Sequence, residues 1–248
     1  MESLRARIEA GETVVGTFQY YPSPPVTETL ALAGMDFVIP DQEHSPLSAE
    51  RTMEMAMAAQ GAGAGALVRV RRNDPAEIQR ALDLGADGVM VPQVETHDDA
   101  VAARDAARYA PLGDRGLSKY VRAGGYVGGD EFTREQNETA ALVVQIEGER
   151  GVENVDEILG VEGIDTLFLG PYDLSASLDI PGQVRDERVE SLMEEVCAEA
   201  AAAGVAVGAY ADDPAMANRW LDAGVQLVAL SVEGAVLYRA VEDLLAEL

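Results

Sequence analysis

Two acids and a histidine follow a short apolar run in "FVIPDQEHSP", residues 37–46: Asp41, Glu43 and His44. Only one other histidine, His97, occurs in the chain. A carboxylate beside an imidazole is the raw material of proton transfer, because it orients the ring and tunes its basicity. Arg69 closes "ALVRV" as the polar member of an apolar run, where a guanidinium could fix a carboxylate or stabilise an enolate oxygen. Gln145 and Glu147 end "VVQIEG" two positions apart, so both point the same way from a strand. Asp173 follows Gly170-Pro171 in "GPYDLSASL". Glu147, Asp173 and Gln145 have the character of ligands for a hard divalent cation such as Mg²⁺ or Mn²⁺. Two carboxylates would leave coordination positions open for a bidentate anionic substrate. Each residue also has a plainer reading. Glu147, beside Glu149 and Arg150, reads as a solvated loop acid, Asp173 as a helix N-terminal residue, and His44 as a structural histidine.

Lysine usage limits the chemistry further. Lys119 is the only lysine, and it lies in an irregular Gly-rich stretch rather than on an apolar run. Schiff-base aldolases need a buried amine nucleophile, so carbanion chemistry here would rest on metal and arginine. Other candidates carry less. His97 in "ETHDDAVAA" follows a Thr96 cap and reads as surface, and Met53, Met55 and Met57 read as core filling. "GAGAG" at 61–65 lacks the spacing and lysine of a phosphate loop. Cys197, the only cysteine, reads as a core thiol on a helix face and excludes internal disulfides.

The elements that must position these residues follow a repeated pattern. An amphipathic segment, a glycine suited to a helix C-terminus and a short β-rich run recur in "LALAGMDFVIPDQE", "ALDLGADGVMVPQVE", "ILGVEGIDTLFLGPYD" and "WLDAGVQLVALSVEG". Eight strands are expected: "TVVGTFQY", "FVIPD", "ALVRV", "GVMVPQV", "ALVVQIE", "DTLFLGP", "VAVGAY" and "QLVALS". Their continuous apolar character suits a parallel sheet covered on both faces. A (β/α)8 TIM barrel spanning residues 1–248 as one domain is the economical solution, with a doubly wound sheet as the alternative. In such a barrel the C-terminal strand ends converge on one mouth, which gathers Asp41, Glu43, His44, Arg69, Gln93, Glu95, Gln145, Glu147 and Asp173. "APLGDRGLSKYVRAGGYVGGDEF" breaks the pattern after the fourth strand and its helix, and reads as a functional loop or an oligomer contact.

Composition narrows the partners. With 44 acids against 18 bases and a net charge of -26, the chain would repel nucleic acid and anionic membranes. No apolar run approaches the roughly 18 residues of a membrane span. The charged start "MESLRARIEAGETVVG" lacks the apolar core of a signal peptide, so the expected location is the cytoplasm. The acids are spread along helix-like segments, as on the solvated surface of a halophilic protein.

Taken together, "DQEHSP", "LVRV", "RYAPLGDRG", "VVQIEG" and "GIDTLFLGPYDLSASL" resemble the HpcH/HpaI aldolase family, metal-dependent class II pyruvate aldolases related to the citrate lyase β subunit. The resemblance runs from about residue 13 to the C-terminus. It implies a (β/α)8 barrel assembled as trimers of dimers, with the C-terminal helix "GAVLYRAVEDLLAEL" exchanged between subunits. It also implies Mg²⁺, Mn²⁺ or Co²⁺ held by Glu147 and Asp173, with pyruvate chelating the cation. Gln145 and the backbone around Tyr172 and Asp173 would hold the substrate, Arg69 would stabilise the enolate oxygen, and His44 would be the base, acting through metal-bound water. A family aspartate that raises the histidine's basicity aligns with Asp83 in "RALDLG", while Asp41 is the partner nearer in sequence. The activity implied is reversible cleavage of a 4-hydroxy-2-oxo acid, either a 2-keto-3-deoxy sugar acid or a hydroxy-oxo diacid such as 2,4-dihydroxyhept-2-enedioate, to pyruvate and an aldehyde. The alternatives are a citramalyl- or malyl-thioester lyase, and a non-catalytic barrel that binds metal and oxo acid. Three departures stand out: Gln42 replaces the usual glycine of the histidine motif, Tyr172 replaces a small residue, and Leu117-Ser118 replaces Val-Gly. All three are expected to border the aldehyde.

Overall fold

Each expected run forms a strand, and the strands close in chain order into an eight-stranded parallel barrel, seen in a computed structural model that describes residues 2–248. The first elements are α1 (Leu4–Glu9), β1 (Val14–Gln19), α2 (Pro24–Leu32), β2 (Phe37–Pro40), α3 (Ala49–Gly61), β3 (Gly65–Arg69), α4 (Pro75–Asp83), β4 (Gly88–Val91) and α5 (His97–Ala107). After the irregular excursion come α6 (Phe132–Thr139), β5 (Ala141–Ile146), α7 (Glu149–Glu153), α8 (Val155–Leu159), β6 (Thr166–Leu169) and α9 (Pro171–Ser177). The chain ends with α10 (Glu187–Ala203), β7 (Ala206–Ala211), α11 (Pro214–Asp222), β8 (Leu227–Val232) and α12 (Glu233–Ala246). Closure is made by β1 against β8, where Val14 pairs with Leu227 and Gly16 with Ala229.

The period-2 alternation of the strands sorts their side chains into two cores. Inside the barrel Phe18, Phe37, Ile39, Leu67, Met90, Val143, Phe168 and Leu227 pack together, with Leu4 and Ile8 of α1 joining them. The alternate residues, such as Ala66, Val68, Val89, Val91, Val144 and Leu167, pack outward against the helices. Burying each large side chain contributes about 1.5–3 kcal/mol. Gly16 makes room for one of them: a Cβ there would lie 2.3 Å from the Phe37 carbonyl oxygen and 2.5 Å from its ring.

Helix ends are capped as their sequences suggest. Ser48, Asp74, Thr96, Asp186 and Asp213 each accept a first-turn N–H at the start of α3, α4, α5, α10 and α11. Met55 and Cys197 are buried, whereas Met57 is exposed. The Cys197 thiol is pushed up to about 11, by burial first and then by Glu194, which fits an inert core thiol. Among the described residues no helix is long and apolar enough to cross a membrane.

Candidate active site

Strand parity carries the barrel interior into its polar mouth. Ile39 points inward, so Asp41, two residues on, does too, and Leu67 sets the same phase for Arg69. Asp41 pairs with Arg69 just beyond the ladder. The guanidinium grips that carboxylate with two bonds, Nε to Oδ1 at 2.9 Å and Nη2 to Oδ2 at 2.8 Å. Its Nη1 lies 3.2 Å from Glu43 Oε2, and its flat face covers the Phe18 ring at 4.6 Å. Burial alone would lower the Arg69 pKa, but the hydrogen bond and charge of Asp41, then Glu43, raise it, so the cation is permanent.

Asp41 also shapes the turn after β2. Its two oxygens accept the backbone N–H groups of Glu43 and His44 at 2.9 and 3.3 Å, and its carbonyl accepts the Ser45 hydroxyl. The His44 side chain emerges 54 % exposed, with Nε2 3.8 Å from Glu43 Oε2. Asp41 therefore orients Arg69 and the loop, and Glu43 is the acid beside the imidazole.

On β5, Val143 points inward and so do Gln145 and Glu147. Glu147 Oε1 accepts the backbone N–H of Gln93 at 2.8 Å, and its Oε2 accepts from the Gln145 amide. Gln93 reaches this position with φ of 57°, a left-handed backbone at a non-glycine residue. The same inward phase on β6 leads from Phe168 to Gly170, where any Cβ would lie 2.9 Å from both Glu147 Oε2 and Gln145 Nε2. Gly170 is thus the cradle for the β5 carboxylate. Burial, then the charges of Asp173 and Glu43, push the Glu147 carboxyl up to about 8 against the pull of the Gln93 N–H and Arg69. Glu43 is raised too, by burial first, with Arg69 and His44 opposing and Asp41 and Asp173 adding to it.

A cavity of about 360 Å³ at this mouth is lined in part by His44, Arg69, Gln145, Gly170, Tyr172 and Asp173, with Glu147 directly behind Gly170. Asp173 lies in the first turn of α9, after Gly170 and Pro171, so the N-terminal and mouth readings of this residue hold together. The residues fit a hard divalent cation. Glu43, Glu147 and Asp173 crowd three carboxyl groups around one Arg69, and Gln145 Oε1 and Glu43 Oε2 are buried without a hydrogen-bond partner. Among the described residues no group of three or more His, Cys, Asp or Glu is arranged to hold a metal. The chain can thus offer the two carboxylates of Glu147 and Asp173, which suits a cation that keeps its other positions for water and substrate oxygens.

The remaining candidates lie outside the cavity lining. Asp83 ends α4, a helix that runs away from the mouth, and it pairs with Arg115 of the excursion at 2.7 Å; within one chain it does not meet His44. Gln42 does not border the substrate, because its amide turns outward to donate to Thr52 of α3 at 2.9 Å. Leu117 is exposed on the excursion and is not part of the cavity lining. Glu95 faces Arg150 and His97 faces Asp98, both at the surface. Sequence reasoning missed Tyr20 and Tyr210, which also line the cavity. Each closes one of the apolar runs, two residues beyond an inward position, and that phase was the available signal.

Comparison with known proteins agrees with the geometry. The sequence profile described as HpcH/HpaI aldolase/citrate lyase matches residues 15–240. A 5-keto-4-deoxy-D-glucarate aldolase of Citrobacter koseri is 35% identical over 240 residues, covering 97% of this chain and 93% of that protein. A crystal structure of an HpcH/HpaI aldolase/citrate lyase family protein from Burkholderia cenocepacia superposes with a TM-score of 0.95 at 36% identity, covering 100% of this chain and 99% of that one. An HpcH/HpaI aldolase from Desulfitobacterium hafniense gives 0.94 at 31% identity, covering 100% and 96%. A β2 turn that binds arginine and histidine, a β5 carboxylate cradled by a β6 glycine and this likeness along the whole barrel place the chain in the HpcH/HpaI aldolase/citrate lyase family.

Proposed function

We propose that the protein is a divalent-metal-dependent lyase that reversibly cleaves a 4-hydroxy-2-oxo acid, of the 2-keto-3-deoxy sugar acid type, into pyruvate and an aldehyde. The observation that carries this reading is the convergence of Arg69, His44 and the carboxylates Glu147 and Asp173 at one barrel mouth that contains no lysine. The likeness to the 5-keto-4-deoxy-D-glucarate aldolases supports the sugar-acid type.

Glu147 and Asp173 would hold the cation, which when bound supplies Lewis acidity toward the 2-oxo and carboxylate oxygens of the substrate. Arg69 has five N–H donors, of which Asp41 takes two, while Nη1 forms an ion pair with Glu43. The remaining donors serve the 2-oxygen, where negative charge develops as the C3–C4 bond breaks. Because Asp41 already fixes the guanidinium, no reorganisation is needed at that moment. His44, free at the lip of the cavity, removes the 4-hydroxyl proton as the aldehyde departs. The electron pair of the broken bond passes to C3 and the 2-oxygen, and the proton taken up by His44 is returned at C3 to complete pyruvate. The Gln145 amide and the first N–H groups of α9, at Tyr172 and Asp173, hold the substrate carboxylate.

Exchange of the pyruvate methyl protons with D₂O, followed by NMR, tests the assignment. His44→Ala and Arg69→Ala should each lower exchange by at least about 10²-fold, the usual range for a lost proton-transfer or oxyanion group. Unchanged exchange in either variant refutes that residue's role. EDTA should silence the wild type, whereas borohydride with pyruvate should not, and covalent trapping at Lys119 would overturn the mechanism.

A further inference from the structure

The cavity wall beyond the pyruvate-binding groups is phenolic. Tyr172, in the first turn of α9, and Tyr210 of β7 meet edge to face with ring centroids 5.7 Å apart. Both hydroxyls donate to one carboxylate, that of Asp212: Tyr172 lies 3.0 and 3.1 Å from its two oxygens, and Tyr210 lies 3.1 Å from Oδ1. Burial, together with Asp212, pushes both phenols above their ordinary range, so neither gives up its proton. A tyrosine hydroxyl has one hydrogen. With both hydrogens committed to Asp212, the two oxygens face a ligand as acceptors, backed by a negative charge.

The cations near this wall are already occupied. Arg69 is held by Asp41 and Glu43, and its remaining donors serve the pyruvate 2-oxygen rather than the aldehyde. Arg239 donates to the Asp212 carbonyl at 3.0 Å and Arg185 pairs with Asp213 at 2.6 Å, and neither guanidinium lines the cavity. An acceptor surface with no free cation suits hydroxyl groups, which can donate. It opposes a second carboxylate, which cannot donate and would meet Asp212 as a like charge.

From this geometry we infer that Tyr172, Tyr210 and Asp212 form the aldehyde subsite and select neutral hydroxyaldehydes over carboxylated ones. The sugar-acid substrate is then a monocarboxylic 2-keto-3-deoxy acid, in contrast to the diacid for which the 5-keto-4-deoxy-D-glucarate aldolases are named. The inference rests on the aldolase reading above and deepens it.

Aldol addition of pyruvate to two three-carbon aldehydes isolates the choice: glyceraldehyde, and its analogue in which the terminal CH₂OH is a carboxylate. The wild type should favour glyceraldehyde in kcat/KM by at least about tenfold, a ratio within reach of an unpaired polar group. Asp212→Asn replaces one acceptor oxygen by a donor and removes the charge, and should reduce that ratio by about tenfold. Tyr172→Phe keeps the ring and removes the acceptor, and should reduce the advantage of glyceraldehyde over propanal. Equal or reversed preference in the wild type overturns the inference, as do unchanged ratios in both variants. Wild-type pyruvate proton exchange, measured alongside, separates the two levels. Absent exchange removes the aldolase reading, whereas exchange with a reversed aldehyde preference removes only the subsite.

Discussion

Arg69 and Asp41 face each other fork to fork, joined by bonds of 2.9 and 2.8 Å, with side chains 5 % and 0 % exposed. The pair sits where β2 and β3 run out of ladder, so the strands that position the guanidinium also supply its counter-charge. Its place in the mouth makes the pair a positioning device first. A buried ion pair is weak evidence for stability, because desolvation opposes the attraction.

Asp41→Asn should therefore act on two levels. The amide cannot accept both guanidinium bonds, which leaves a buried cation with only Glu43 beside it, and stability should fall by roughly 3 kcal/mol. Pyruvate exchange in the part that remains folded should drop further, because the arginine loses its fixed direction. Denaturant titration and exchange measured well below the unfolding midpoint check the two effects. A variant that is as active as the wild type when folded would show that Arg69 does not need this partner.

The raised carboxyl of Glu147 sets a pH dependence for the metal-free protein. Its folded-state pKa of about 8 lies above the ordinary value of 4.5, so between those limits the folded chain holds a proton that the unfolded chain releases. The stability from this group is fully present below about pH 4.5 and is lost as pH rises through about 8, by on the order of several kcal/mol. Glu147→Gln carries no titrating proton and should lack that slope. The difference between the two stability curves isolates the residue from every other titration, and a flat difference would contradict the assignment. Added Mn²⁺ should restore the wild type at the alkaline end, by binding the folded state.

Much of this was legible in the sequence because strand period and barrel topology act together. Phe37 to Ile39 end a buried stave and polarity begins at Asp41, so the mouth residues could be named from phase alone. Partner choice was not legible. Asp41 adjoins His44 in the chain, yet the lateral register of β2 against β3 gives its carboxylate to Arg69, and Glu43 is left beside the imidazole. Gln42, one residue out of phase, turns to Thr52 and away from the substrate. The bond from Gln93 to Glu147 depends on a left-handed backbone that no motif announces. Asp212 lies just past β7 and joins Tyr210, two residues away, to Tyr172, forty residues earlier in the chain.

The last helix carries an apolar face that its own barrel does not cover. Leu237, Tyr238, Leu244 and Leu245 of α12 are each more than half exposed. A homo-oligomer in which this helix packs on a second copy would bury them. Leu237→Glu and Leu244→Glu should then weaken association by at least about 2 kcal/mol each, as for buried interface anchors. The effect should appear as a fall in mass by sedimentation at low micromolar concentration. If both variants keep the wild-type mass, the helix is not part of the contact.

The net charge of -26 makes a separate claim on solution conditions. Mutual repulsion among surface acids opposes the compact state, and salt reduces it as the screening length falls from about 8 Å at 0.15 M to about 3 Å at 1 M. The acids are distributed, as in Glu190 and Glu194 beside Arg219 or Glu131 and Glu138 beside Arg134, so the bases present are largely matched and the excess acids have no counter-ion within the chain. Raising KCl from 0.1 to 2 M should lift the melting temperature by about 5 °C or more, equivalent to roughly 2 kcal/mol for a chain of this size. Replacing KCl by an osmolyte without charge should not reproduce a rise that comes from screening. A protein equally stable at both salt concentrations would show that the acidic surface is tolerated without the counter-ions a halophilic cytoplasm provides.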